Sequence, residues 1–191
     1  MTTIYFVRHA QPDYRGGSDR ERGLTAEAME DRKIVLDFLR EKHVDAFWCS
    51  PYRRSLDTIR EAAEHFGMTI HTDERLRERE SAPGGNVREL FRKRWADFDW
   101  HEPGGESLRS VQERNIAALT DILTAERDRT VVIGTHGTAL STILRCYDPS
   151  YDCDSFLRII DWMPFVVELD FEGTRFLGKT EHVHVEKPFK P

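Results

Sequence analysis

Ile4-Tyr5-Phe6-Val7-Arg8-His9-Ala10, near the start of the chain, and Val131-Val132-Ile133-Gly134-Thr135-His136-Gly137, in its second half, decide how the rest is read. Each is a short apolar run with the pattern of a buried strand, and each runs directly into a histidine. In an open α/β sheet, side chains just beyond the carboxyl ends of neighbouring strands converge on one crevice, and ligands bind there. Two histidines and Arg8 on such a rim make a cationic pocket with one good nucleophile. That is the outline of a phosphoryl-transfer site.

Outward from these stretches, strand and helix patterns alternate. Residues 11–22 are polar, with Gly16-Gly17 in the middle, and read as a loop. Thr25 is an N-cap for a helix over 28–42, in which Ile34, Val35, Phe38 and Leu39 recur on one face. A strand over 44–48 turns out through Cys49-Ser50-Pro51; Ser50 as N-cap with Pro51 at the first helical position predicts a second helix. That helix buries Leu56, Ile59, Ala63 and Phe66 and stops at Gly67, ahead of a strand over 68–71. Ser107 caps a helix with the stripe Leu108, Val111, Ala118, Leu119 and Ile122. Another helix follows His136 through Leu140, Ile143 and Leu144. Residues 165–171 and 175–177 form a hairpin around Glu172-Gly173, and the charged tail beyond Lys179 reads as peripheral. This alternation predicts a three-layer α/β/α fold with a mostly parallel central sheet covered by helices on both faces. The length suits one domain over 1–191, with a helical and loop excursion at about 74–106 that contains one short helix near 87–98. Long excursions of this kind serve as lids or specificity elements.

Composition narrows the classes of function. The net charge of −6 argues against a nucleic-acid binder, although a basic pocket can sit inside an acidic molecule. The three cysteines, Cys49, Cys146 and Cys153, show no paired metal spacing and point to a reducing compartment. The strand-like start holding Arg8 leaves no place for a signal peptide, and no apolar run is long enough to cross a membrane. The expectation is a cytoplasmic protein without a membrane or nucleic-acid partner; oligomeric state is unreadable.

Arg54 begins the helix after the second strand, so it enters from the same sheet edge as Arg8, His9 and His136. Strand-to-helix turns also present free N–H groups and the positive end of a helix dipole, which favour an anion. Gly137 would let the backbone approach that anion closely. Read singly, His9 or His136 is most simply a satisfied histidine, and Arg54 a solvated helix-start arginine like its neighbour Arg53. The joint placement is what argues for a site.

Five segments carry a resemblance: Arg8-His9, Ser50-Pro51-Tyr52-Arg53-Arg54, Leu76-Arg77-Glu78, Gly105-Glu106-Ser107 and Thr135-His136-Gly137. In this order and spacing the chain resembles the histidine phosphatase superfamily, which includes the cofactor-dependent phosphoglycerate mutases. The resemblance implies a phosphoglycerate mutase-like fold and a phosphohistidine formed on His9. Arg8, Arg54 and His136 would hold the phosphoryl oxygens, and such a clamp can stand in for a metal ion, so neither metal nor other cofactor is expected. Glu78 would protonate the leaving alkoxide and later activate water, with Glu80 the reserve candidate; an ion-paired surface carboxylate is the rival reading of Glu78. The implied activity is hydrolysis of a small-molecule phosphate monoester. The alternatives are a mutase, disfavoured by the short chain, and a non-catalytic phosphate-binding module.

Two departures bear on that last alternative: Ala10 and Pro12 stand where the family has Gly and Ser or Thr. Ala10 is tolerable if its backbone needs no positive φ, whereas Pro12 removes a hydroxyl and an N–H donor. A cysteine phosphatase fails on spacing, because Arg54 lies one residue too close to Cys49. His182 and His184 alternate as metal ligands do but lack a third partner nearby. Phe91, Trp95, Phe98 and Trp100 fit a substrate pocket and an ordinary packing face equally.

Overall fold

Alternate side chains of the first strand diverge to opposite sides of a sheet in the computed structural model, which describes residues 1–190. In β1 (Thr2–Arg8), Ile4 and Phe6 join one apolar cluster, and Tyr5 and Val7 join another. A strand buried on both faces must be central. β1 accordingly lies between β4 (Thr130–Thr135) and β5 (Trp162–Glu172) in a six-stranded sheet. Beyond β4 come β2 (Ala46–Cys49) and β3 (Ile70–Thr72), and beyond β5 comes β6 (Arg175–Glu186). The first four strands in the chain are parallel; β5 and β6 are antiparallel and meet at a turn in which Gly173 takes a φ of 60°.

Helices cover both faces, as the alternation predicts. α1 (Ala26–Asp31), α2 (Lys33–Leu39) and α3 (Arg53–His65) belong to one side, where Val35, Leu39 and Ile59 pack on Phe47, Val132 and Val166. α4 (Arg88–Ala96), α5 (Leu108–Ala125), α6 (Gly137–Tyr147) and α7 (Cys153–Arg158) belong to the other, where Leu119, Ile122, Leu140 and Ile143 meet Ile4, Phe6 and Ile133. The Thr25 and Ser107 caps form, with side chains accepting from Ala28 and Ser110 amides at 3.0 and 3.1 Å.

Four expectations are corrected. The helix expected over 28–42 is two helices that begin earlier and end at Leu39. Arg32 sits at their junction, its guanidinium drawn to the Asp57 carbonyl of α3 at 2.6 Å. Ser50 does not cap α3: Tyr52 takes that position, and the Ser50 hydroxyl is turned to His136. Leu56 and Phe66 are only partly buried. The segment beyond Lys179 is not peripheral either. It continues as β6 to Glu186, and residues 187–190 then pass beside the cavity that holds His9. Among the described residues, no helix is long and apolar enough to cross a membrane.

Candidate active site

The pairing register of the sheet brings the two histidines together. Arg8 of β1 faces Thr135 of β4, so the next residue on each strand is a histidine, and the His9 amide donates to the Thr135 carbonyl at 3.2 Å. The ring centroids are 5.3 Å apart, and both side chains are buried. Arg54, in the first turn of α3, reaches the same point, and its Nε donates to His9 Nε2 at 3.2 Å.

These contacts fix the state of His9. Nδ1 lies 2.7 Å from the Ala10 carbonyl, which can only accept, so Nδ1 carries the proton. Nε2, facing the Arg54 Nε–H, is then the nitrogen with the free electron pair. Burial, followed by the charges of Arg54 and Arg8, holds His9 well below the usual histidine range. It is a neutral base in a cationic setting.

His136 is neutral for similar reasons: burial first, then Arg54, lowers its pKa well below the usual range. Ser50 Oγ accepts the Tyr52 amide at 3.2 Å and lies 2.7 Å from His136 Nε2, which is the acceptor available to the serine hydroxyl proton. This places the imidazole proton on Nδ1, which is buried and has no partner among the described residues. An unpaired buried donor is destabilising unless something accepts from it.

Arg8 is held from behind. Its guanidinium donates to the carbonyls of Ile159 and of Ile160, the latter at 2.9 Å, while its Nε has no partner among the described residues. A Cβ on Gly137 would stand 3.1 Å from the Arg8 guanidinium carbon. This glycine therefore lets α6 start against Arg8. Arg54 is tied to the loop before α1, with Asp19 accepting at its carbonyl (2.5 Å) and its carboxylate (3.1 Å). Arg53 is an exposed surface residue paired with Asp57, as expected.

Glu78 lies at the start of α6. Its carboxylate accepts from the amides of Thr138 and Ala139 at 3.0 Å each and from Arg79 at 2.8 Å. Among the described residues its hydrogen-bond partners are all backbone donors. Glu80 lines the same cavity but is exposed and bonded to Arg77 at 3.2 Å. The cavity has a volume of about 540 Å³ and takes in Arg8, His9, Arg54, Glu78 and Gly137. His136 does not line the cavity; its fully buried ring meets the His9 ring edge-on at 5.3 Å.

The departures at Ala10 and Pro12 are accommodated. Ala10 has no positive φ, and its amide donates to Thr58 Oγ1 at 2.9 Å. Pro12 lines the cavity and bridges to Leu24, so its missing donor breaks nothing there. Of the four aromatic residues in the excursion, only Phe91 reaches the cavity. Trp95 packs on Phe98 and Phe156, and Trp100 lies under the Lys93 ammonium. His182 is bonded to Glu168 at 2.8 Å, and His184 is stacked on Trp162, so both side chains have structural partners.

Sequence reasoning missed several lining residues. Arg22, from the loop read only as polar, adds to the positive field on His9. Arg79 is buried and held by Glu102 at 2.5 Å, by Ser81 and by the Glu106 carbonyl, which anchors the excursion to the site. Gly105 makes room for this pair, since a Cβ on it would fall 2.5 Å from the Glu102 carboxyl and 2.7 Å from Arg79 Nη2, but that approach exists only in the folded chain. Phe156 and Phe189 had no local signal, because only chain folding brings them there.

Comparison with known proteins agrees with this geometry. Residues 4–161 match the model of the histidine phosphatase superfamily (branch 1). The chain is 29% identical over 152 residues to phosphoserine phosphatase 1 of Hydrogenobacter thermophilus, covering 71% of each chain. It is 28% identical over 160 residues to a probable phosphoglycerate mutase GpmB of Proteus mirabilis, covering 75% of this chain and 74% of that one. Its fold is similar to that of Bacillus stearothermophilus YhfR, with a TM-score of 0.76 at 23% identity, covering 93% of this chain and 95% of the other.

Proposed function

This chain belongs to the histidine phosphatase superfamily, and from that premise we propose that it is a phosphomonoesterase that hydrolyses a small-molecule phosphate ester through a phosphohistidine on His9. The observation that carries the reading is the locked ring of His9. With Nδ1–H given to the Ala10 carbonyl, the lone pair on Nε2 is directed at Arg54 in a buried cationic cleft.

An arriving phosphoryl oxygen takes the Arg54 Nε–H and releases that lone pair. Arg8 offers its unpartnered Nε–H to a second oxygen, and His136, whose ring adjoins that of His9, its Nδ1–H to a third once the group is seated at His9 Nε2. These donors sit where negative charge gathers in the transition state, in a setting dry enough for each to count. Nε2 forms its bond to phosphorus as the ester P–O bond breaks, and Glu78 gives a proton to the departing alkoxide. In the phosphohistidine the positive ring keeps its Nδ1–H on the Ala10 carbonyl. Water then attacks phosphorus, Glu78 takes the water proton, and His9 leaves as the neutral imidazole. The reading needs no metal ion, because the guanidinium and imidazole donors offset the charge.

Rapid quench with an aryl phosphate should trap an acid-labile, base-stable phosphoenzyme that is missing in His9→Ala. Activity should survive EDTA; its complete loss, restored by zinc or magnesium, would rule out the clamp. A second reading, return of the phosphoryl group to another oxygen of the same substrate, is favoured by the similarity to the Proteus mutase. Product analysis with a phosphoglycerate separates the two, because hydrolysis yields inorganic phosphate and a mutase yields the isomer.

A further inference from the structure

Residues 187–190 leave the end of β6 and turn back along the cavity. Asp161, in the turn between α7 and β5, fixes that path. Its carbonyl accepts the Lys187 amide at 2.7 Å, and its carboxylate accepts the Phe189 amide at 2.7 Å. Gln11 Nε2 donates to the Pro188 carbonyl at 3.1 Å, and the Lys187 ammonium lies 3.2 Å from Asp31. So held, Phe189 lines the cavity with its ring 6.0 Å from that of Phe91, which meets Phe156 edge-on at 5.3 Å. Three rings, from α4, α7 and this segment, make one apolar wall in the cavity that also holds His9, Arg8 and Arg54.

A phosphoryl group presents no apolar surface, so this wall can serve only the alcohol part of an ester. Resting on the phosphatase reading, we infer that residues 187–190 are a specificity element, in which Phe189 packs against the leaving group and selects esters whose alcohol part is aromatic or otherwise broad and apolar. Asp161 touches no substrate and acts as a positioning residue for Phe189. The turn that seats this segment also holds Arg8, through the carbonyls of Ile159 and Ile160, so the wall and the phosphate clamp share one anchor.

Steady-state kinetics on the whole chain with naphthyl phosphate and glycerol 2-phosphate test this. The unaltered protein should prefer the naphthyl ester. Phe189→Ala should lower that preference, as a ratio of kcat/KM values, by about tenfold, the size expected for removing packing from an apolar pocket. The change should appear mainly in KM for the naphthyl ester, and Phe189→Tyr should restore most of the ratio. Asp161→Ala should move the ratio the same way by a smaller factor. An equal fall for both esters in Phe189→Ala would make the ring a packing plug and overturn the inference, as would a preference of the unaltered protein for glycerol 2-phosphate. Either result leaves the phosphatase reading standing. If the unaltered protein hydrolyses neither ester and forms no phosphoenzyme, the phosphatase reading itself fails, and the specificity element falls with it.

Discussion

Glu78 and Glu80 are separated by one residue and by very different surroundings. Glu78 is tied to the start of α6, next to Gly137, by the Thr138 and Ala139 amides and also accepts from the Arg79 amide, whereas Glu80 is exposed and pairs with Arg77. A proton donor has to keep one position through both half-reactions, and only Glu78 is fixed. Glu78→Gln should therefore lower kcat by about a hundredfold or more for esters with poor, alkyl leaving groups, and far less for nitrophenyl phosphate, whose alkoxide needs no proton. Glu80→Gln should show no such dependence on the leaving group; if it does, the acid has been assigned to the wrong residue. Sequence spacing could offer both carboxylates but could not choose between them, because the choice depends on amides of Thr138 and Ala139 some sixty positions away. The ion-paired surface carboxylate that rivals a proton donor at Glu78 is found at Glu80 instead.

Where elements meet, the close approach of β1 and α6 does the positioning. A Cβ on Gly137 would press on the Arg8 guanidinium, 3.1 to 3.2 Å from its atoms. Gly137 has no positive φ, so alanine is allowed by the backbone and is the better helix former. Gly137→Ala should leave Tm unchanged or slightly raised. It should nevertheless lower kcat/KM about tenfold, because small displacements of a positioning group are amplified in the rate. A thermal melt beside a kinetic assay checks both signs, and a fall in Tm with kcat/KM intact would show that the glycine serves packing alone. A glycine after a strand-end histidine signals close approach of something. What approaches, an arginine side chain, depends on the parallel pairing of β1 with β4.

Across the whole molecule, two neutral histidines buried beside arginines make stability depend on pH. Both have folded-state pKa values depressed well below the ordinary 6.5. Below 6.5 the unfolded chain therefore binds protons at these positions that the folded chain does not. Stability should be full above about pH 7 and fall as the pH drops from 6.5, by up to about 1.4 kcal/mol per pH unit for each histidine. Carboxylates held low by partners, such as Glu102 and Glu106, add their own losses only further down, as their pKa values are approached. Urea titrations between pH 7.5 and 5 should show the midpoint falling with acid, and His9→Asn combined with His136→Asn should flatten that slope. An unchanged slope in the double variant would mean that other groups carry the acid sensitivity.

The sequence by itself determined the alternation of strands and helices, the two histidines at strand ends and Arg54 at a helix start. These follow from local periodicity, from caps at Thr25 and Ser107, and from the rule that strand ends of a parallel sheet share a rim. Only the tertiary structure decided which nitrogen of His9 is free, that Ser50 serves His136 instead of capping α3, and that residues 187–190 pass along the cavity. The physical reason is the same in each case. Hydrogen-bond partners and packing neighbours far apart in the chain are set by the register of paired strands, and no local pattern of residues encodes that register.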